Sequence, residues 1–203
     1  MTVHGSSPQH RLARVVTEVF APTPMAMLAV AIVAWWTART PLQALTWALI
    51  GIAFAPLLPF LHLIRQIRRG AITDHHVRRR EQRPRILLLA LGSTVIGFIL
   101  LATLGAPPGL IALLATGATA VGVALLITLH WKISVHVGVI AGLVVVYALL
   151  IGPRALLLTP LIPLVAWARV ALGAHTPAQV IAGGIIGALV SGPMFVAMLT
   201  LLA

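Results

Sequence analysis

The chain has 203 residues, of which 60% are hydrophobic and 8% charged, and its 14 lysines and arginines against three acids give a net charge of +11. A composition this apolar excludes an ordinary soluble domain, and the lack of cysteine excludes disulfides and thiolate metal sites. Three acids are also few for a site that holds Mg²⁺ beside a phosphate, which usually needs several carboxylates.

Seven apolar segments predict an all-α, polytopic transmembrane helix bundle with about six or seven spans. A membrane-spanning helix needs roughly 20 apolar residues, and a strand-built barrel would need short alternating segments instead. In chain order the segments cover residues 20–37, 42–65, 86–105, 109–129, 134–152, 154–170 and 177–201. We expect residues 1–203 to form a single integral membrane domain, with a polar lead-in at 1–19 and a basic loop at 65–85.

Several helix starts are marked by residues that favour the first turn. Pro84 and Pro177 stand in the first turn of the expected helices, where the missing N–H of proline costs no helical hydrogen bond. Thr176 is a suitable N-cap. Ser134 lies at the start of the fifth segment. The run "GGIIG" at 183–187 has the spacing of small residues that predicts close helix packing in membranes.

Positive charge is distributed unevenly between the two faces of the predicted bundle. Of the 14 lysines and arginines, twelve fall on the face of the amino terminus and the 65–85 loop, and only Arg39 and Arg154 fall on the other. Basic residues are enriched on the cytoplasmic side of membrane proteins. We therefore expect a cell-membrane protein with the basic face in the cytoplasm.

Three polar joints share this basic face, because two spans separate each joint from the next. They are the 65–85 loop, "HWKISVH" at 130–136 and "RVALGAHTP" at 169–177. Each joint precedes a helix start, and helix amino termini favour anions. The joints also contain cations and histidines: Arg83, Lys132, Arg169, His136 and His175. This combination predicts an anion site with two groups suited to proton transfer or nucleophilic attack.

These joints resemble the three motifs of the type 2 phosphatidic acid phosphatase superfamily. Arg169 and His175 have the spacing of its third motif, Ser-Arg-x5-His-x3-Asp. "ISVH" at 133–136 is similar to its second motif, Pro-Ser-Gly-His, and "RP" at 83–84 is similar to the end of its first, Lys-x6-Arg-Pro. The resemblance covers roughly residues 65–187, and its strength comes from the ordered set on one membrane face.

The motifs also depart from the family pattern. His76 occupies the position of the first-motif lysine, so that one of the neighbouring arginines, Arg78, Arg79 or Arg80, becomes a candidate replacement. Gln179 occupies the position of the aspartate that normally orients the nucleophilic histidine. An amide oxygen can accept the imidazole N–H, but it stabilises a positive charge less than a carboxylate does. The remaining departures are Ile133, Val135 and Ala168.

The resemblance implies hydrolysis of a lipid phosphate monoester or diphosphate, such as a polyprenyl phosphate or phosphatidic acid, through a phosphohistidine. It implies that His175 attacks phosphorus, that His136 protonates the leaving oxygen and then activates water, and that Gln179 orients His175. The implied substrate-binding residues are Arg83, Arg169, Ser134, Lys132, Arg80 and His76. Neither a metal nor another cofactor is implied, and the expected partners are the lipid substrate and membrane lipids rather than nucleic acid.

Two other readings remain open from the residues alone. The same fold with Gln179 is compatible with an impaired enzyme that binds lipid phosphates as a sensor or scaffold. A transporter or a haem-binding membrane protein is the other alternative, because paired histidines such as His136 and His175 can ligate iron.

Overall fold

The computed structural model describes residues 7–77 and 79–203, which form an all-helical bundle with no strand among them. The predicted fold class is confirmed. In chain order the α-helices are α1 (Pro8–Val19), α2 (Pro22–Thr37), α3 (Pro41–Ile52), α4 (Leu58–Arg68), α5 (Arg83–Thr103), α6 (Pro108–His130), α7 (Val135–Ile151), α8 (Leu161–Ala171) and α9 (Pro177–Leu201). Short 3₁₀ turns at Arg80–Gln82 and Pro153–Leu158 precede α5 and α8.

Helix lengths account for five or six membrane spans. In the described chain, five helical segments are long and apolar enough to cross a membrane, and α1 with α2 makes a sixth if this pair, bent by 43°, counts as one span. The helix α7 is also apolar, but it has only 17 residues. All seven predicted segments are helical, while the count of seven complete spans stays a prediction.

The segments flanking the spans differ from the sequence-based bounds. The predicted lead-in contains the amphipathic helix α1, whose residues Ala13, Val16 and Thr17 are buried; residues 1–6 lie outside the described residues. The 65–85 loop is shorter than predicted, because α4 continues to Arg68 and α5 already begins at Arg83. Helical hydrogen bonding therefore extends into charged sequence at both ends of this loop.

A π-helical turn at Ala53–Leu57 joins α3 to α4 within one long span. The Leu58 N–H donates to the Ala53 carbonyl, which is the i→i+5 pattern. Pro59 has no N–H for the next carbonyl, that of Phe54, and the Ser93 hydroxyl of α5 donates to that carbonyl instead. The chain thus crosses a proline-containing region without leaving this partly buried acceptor unpaired.

Helices α7 and α9 pack at very short range through small residues. A Cβ atom on Gly183 would lie 2.5 Å from the Ser134 carbonyl oxygen, and a Cβ on Gly187 would overlap the Gly138 backbone. The close packing predicted from "GGIIG" is confirmed. Because Ser134 immediately precedes α7, this contact also fixes the position of the α6–α7 joint beside the first turns of α9.

An apolar cluster lies directly beneath the joints. It is formed by side chains of α1, α7, α8 and α9: Ala13, Val16, Val137, Ile140, Val165, Ala168 and Val180. Burial of this surface holds α1 against α8 and keeps the polar joints in fixed relative positions.

Candidate functional site

The three polar joints meet, as the sequence predicted, and buried hydrogen bonds connect them. Arg83 donates from Nε to the Val77 carbonyl at 2.9 Å and from Nη1 to the Ile133 carbonyl at 2.9 Å, which links the basic loop to the α6–α7 joint. The Lys132 Nζ donates to the Ala174 carbonyl at 2.7 Å, which links that joint to the one between α8 and α9.

Five polar side chains from these joints are nearly inaccessible to solvent. Arg83, Ser134, His136, Arg169 and His175 have exposed fractions between 0% and 6%. Arg83, Arg169, His76 and His175 all lie near enough to His136 to interact with it electrostatically. Sequence-distant groups are thereby collected in one buried polar cluster.

Three polar atoms of this cluster have no hydrogen-bond partner among the described residues: Ser134 Oγ, His136 Nε2 and His175 Nε2. Ser134 is the N-cap residue of α7, but its hydroxyl makes no capping hydrogen bond. A buried polar group without a partner costs about 1–3 kcal/mol, so a group of them calls for an explanation. A bound ligand rich in oxygen atoms would give each of them a partner.

The turn between α8 and α9 brings Arg169 and His175 together. Gly173 has φ +61°, a left-handed conformation that ends α8 and reverses the chain. The backbone N–H groups of Ala174 and His175 then donate to the Arg169 carbonyl at 3.1 and 3.3 Å. The six-residue spacing between Arg169 and His175 therefore corresponds to the turn that ends α8.

Gln179 contacts His175 as predicted, and the geometry defines the histidine tautomer. The His175 Nδ1 lies 3.1 Å from the Gln179 Oε1, which also accepts the Thr176 backbone N–H at 3.3 Å in a capping box. Because a backbone N–H can only donate, the atom facing it must be the amide oxygen. Nδ1 must then carry the imidazole proton, which leaves a lone pair on Nε2.

Local electrostatics keep His175 neutral. Burial, followed by the charges of three nearby cations, lowers the pKa of the His175 imidazole to about 3, although its hydrogen bond to Gln179 acts in the opposite direction. The cations are Arg83, Lys132 and Arg169. Asp74 interacts electrostatically with Arg83, and Glu18 lies against His76, so the three positive charges outnumber these two nearby carboxylates. A site with this balance favours an anion.

Two residues predicted to bind substrate have other contacts. The Arg80 Nη1 donates to the Leu129 carbonyl at the end of α6, at 3.1 Å, and its side chain is 40% exposed. His76 lies beside the cluster, with its ring centroid 5.1 Å from that of His136, but its Nε2 faces Glu18 at 3.0 Å. Arg78 falls outside the described residues.

Glu18 and Asp74 are the two acidic residues near the site that sequence reasoning did not place there. Glu18 reaches the basic loop from the end of α1, and Asp74 accepts the His76 backbone N–H at 2.9 Å. The amphipathic pattern of residues 8–19 was the available signal for a packed first helix, but it does not identify the residues that Glu18 contacts.

Comparison with protein-family models, with characterised proteins and with solved structures finds no match for this chain. The chemical argument therefore depends on the cluster itself. It contains an imidazole nitrogen with a free lone pair, a second buried imidazole, a hydroxyl and three cationic side chains. Such a set can bind a phosphate group and transfer both a phosphoryl group and a proton.

Proposed function

We propose that this chain is a lipid phosphatase that hydrolyses a lipid phosphate monoester or diphosphate through a phosphohistidine on His175. The observation that carries the proposal is the His175–Gln179 hydrogen bond, which holds the proton on Nδ1 and leaves Nε2 as a buried nucleophile beside cationic groups. The motif resemblance adds support, since it assigns nucleophilic attack to the same histidine.

In the proposed first step, His175 Nε2 attacks phosphorus and the bond from phosphorus to the leaving oxygen breaks. His136, protonated while the anionic phosphate occupies the site, gives its proton to that oxygen, so that a neutral lipid alcohol, or a lipid monophosphate from a diphosphate, departs. In the second step neutral His136 takes a proton from water, whose oxygen attacks phosphorus. Inorganic phosphate leaves, and both imidazoles return to their initial states.

The cations supply the charge stabilisation that phosphoryl transfer requires. Guanidinium groups match the geometry of phosphate oxygens in pairs, and fixed positive charge in a buried site stabilises the equatorial oxygens of the transition state. Arg169 is fully buried at the end of α8 and interacts electrostatically with both His136 and His175, so its charge lies within the cluster that would hold the phosphate. Ser134 Oγ can donate one further hydrogen bond.

The membrane setting supports a substrate with a lipid tail. The cluster lies at the ends of apolar helices, which allows a phosphate headgroup to enter it while the tail stays in the bilayer. We further propose that this is the cytoplasmic face of the cell membrane, on the basis of the twelve-to-two distribution of basic residues.

A phosphate-binding protein without turnover is the second candidate, and Gln179 is the observation that favours it. An amide cannot stabilise a cationic phosphohistidine as a carboxylate does. In this case the site would bind the headgroup with the same cations but release no phosphate.

A phosphate-release assay on the full chain in detergent distinguishes the two candidates. The substrate panel would contain polyprenyl phosphate, polyprenyl diphosphate and phosphatidic acid, each with and without EDTA. We expect release by wild type and by a His62→Ala control, whose histidine pairs with Gln66 on α4, and none by His175→Ala. Headgroup binding without release would support the second candidate, and full inactivation by EDTA with rescue by Mg²⁺ would contradict the mechanism.

A further inference from the structure

Glu18, His75 and His76 form a cluster outside the proposed phosphate site. The His75 Nε2 lies 3.1 Å from a Glu18 carboxylate oxygen, and the His76 Nε2 lies 3.0 Å from the other. One ligand atom from each of the three residues falls within 4.8 Å of the others. The two imidazole rings are tilted by 42° with their centroids 4.1 Å apart, and both present Nε2 to the carboxylate.

The donor set and its spacing suit a divalent transition metal. Imidazole nitrogen and carboxylate oxygen are the ligands of sites in which Zn²⁺ has three protein ligands and an open fourth position. Bonds of about 2.0–2.2 Å in a tetrahedron separate neighbouring ligand atoms by roughly 3.3–3.5 Å. The separations of 3.0 and 3.1 Å between each imidazole nitrogen and the carboxylate are a few tenths of an ångström below this range, and the two imidazole nitrogens lie within 4.8 Å of each other.

Both elements that carry these ligands are held in place independently of the cluster. Asp74 accepts the His76 backbone N–H at 2.9 Å, which forms a tight turn and directs the two imidazoles to one side. Val77, the next residue, has a positive φ of 45° and a buried side chain. On the other element, α1 is fixed by the burial of Ala13 and Val16 in the apolar cluster beneath the joints.

We propose that Glu18, His75 and His76 bind a Zn²⁺ ion that fastens α1 to the basic loop. The side chains of Glu18 and His75 are 56% and 45% exposed, so the ion can enter from solvent and keep a water in its fourth position. The ring of His76 lies next to that of His136, so the bound ion would also fix one side of the phosphate site. This proposal does not depend on phosphatase activity.

Metal binding to the full chain, purified without a histidine tag, tests the proposal. Wild type should hold about one Zn²⁺ per chain after dialysis against a weak competing chelator, and it should melt at a higher temperature with Zn²⁺ than with EDTA. Loss of a direct ligand in Glu18→Gln or His75→Ala should weaken binding by more than the roughly 10–100-fold typical of outer-shell partners. Co²⁺ should give the visible absorption of a tetrahedral ion in wild type but in neither ligand variant.

The control is His10→Ala, which removes a histidine from the same helix and should bind Zn²⁺ as wild type does. Glu18→Gln keeps the size of the side chain, and its melting temperature in EDTA shows whether it is folded. If wild type binds no more Zn²⁺ than these ligand variants do, or if Zn²⁺ leaves its melting temperature unchanged, the cluster is only an ion pair and the proposal is wrong. Phosphate release by metal-free protein would leave the phosphatase proposal intact in either case.

Discussion

Removal of the Gln179 side-chain amide should slow phosphate release without preventing folding. In Gln179→Leu, the Nδ1–H of His175 loses its acceptor at 3.1 Å inside a buried cluster. An unsatisfied buried donor costs about 1–3 kcal/mol, which corresponds to roughly a 5- to 150-fold loss in kcat/KM if the tautomer must be held for attack. The imidazole can also adopt the other tautomer, which protonates the nucleophilic nitrogen.

Gln179→Glu should have the opposite effect, because glutamate has the same reach and adds a negative charge. A hydrogen bond to a charged group contributes about 1.5–3 kcal/mol, against about 0.5–1.5 kcal/mol for a neutral one. The difference of about 1–1.5 kcal/mol would raise the imidazole pKa by roughly one unit and stabilise the cationic phosphohistidine by up to about tenfold. We expect the rate to be maintained or to increase by up to about that factor.

The assay is steady-state phosphate release in detergent at neutral pH, with melting temperature measured on the same samples. Thr176→Ala is the matched control, since it removes the hydroxyl that accepts the Gln179 backbone N–H but retains the Gln179–His175 pair. It should cost about 1 kcal/mol of stability and leave kcat nearly unchanged. If folded Gln179→Leu releases phosphate at the wild-type rate, Gln179 does not orient the nucleophile and the mechanistic reasoning fails.

Three further predictions concern packing, pH and orientation. Gly187→Ala should lower the melting temperature through overlap with the Gly138 backbone, at a cost of about 1–3 kcal/mol. A Cβ at Gly184 meets only side chains, at 3.4 and 3.9 Å, so Gly184→Ala should melt near wild type. Equal melting temperatures for the two variants would contradict the packing. Burial and nearby cations lower the pKa of His175 to about 3, so below pH 6.5 the unfolded chain binds a proton that the folded chain excludes. Stability should therefore fall as pH drops from about 6.5 towards 3, and it should fall less steeply in His175→Gln. If the melting temperatures of the two proteins changed with pH in parallel, this environment of His175 would be wrong. A single cysteine in Ala71→Cys should react only with reagent on the cytoplasmic side and one in Arg154→Cys only from outside, and the reverse pattern would invert the orientation.

The fold was largely predictable because membrane helices are encoded locally. Long apolar runs require internal hydrogen bonding in a bilayer, and Pro84, Pro177 and Thr176 mark two helix starts within a residue. The bounds of the 65–85 loop were less predictable, since charged residues at the ends of α4 and α5 are compatible with either helix or loop. The sequence predicted a polar lead-in where the structure has the helix α1. This helix is stabilised by packing of its apolar face against α8, and such a contact cannot be predicted from the local sequence.

The candidate site was predictable where its contacts are local or follow from topology. His175 and Gln179 are four residues apart, and a helix beginning at Pro177 places them in contact. The cluster of Glu18 with His75 and His76 joins residues 57 and 58 positions apart, and no periodicity indicates such a pairing. Arg80 illustrates the same limit, since in a run of arginines only the tertiary structure determines which one enters a buried site.

The most direct test of the central claim is detection of phosphate on His175 during turnover. Wild type and His136→Ala would be mixed with a ³²P-labelled lipid phosphate, quenched in alkali, digested and mapped. We expect an alkali-stable, acid-labile label on the peptide that contains His175, with none in His175→Ala. General acid–base catalysis typically contributes about 10²–10⁴-fold, so any intermediate formed by His136→Ala should persist longer than in wild type. Phosphate release by wild type without label on His175, or release that survives in His175→Ala, would contradict the account.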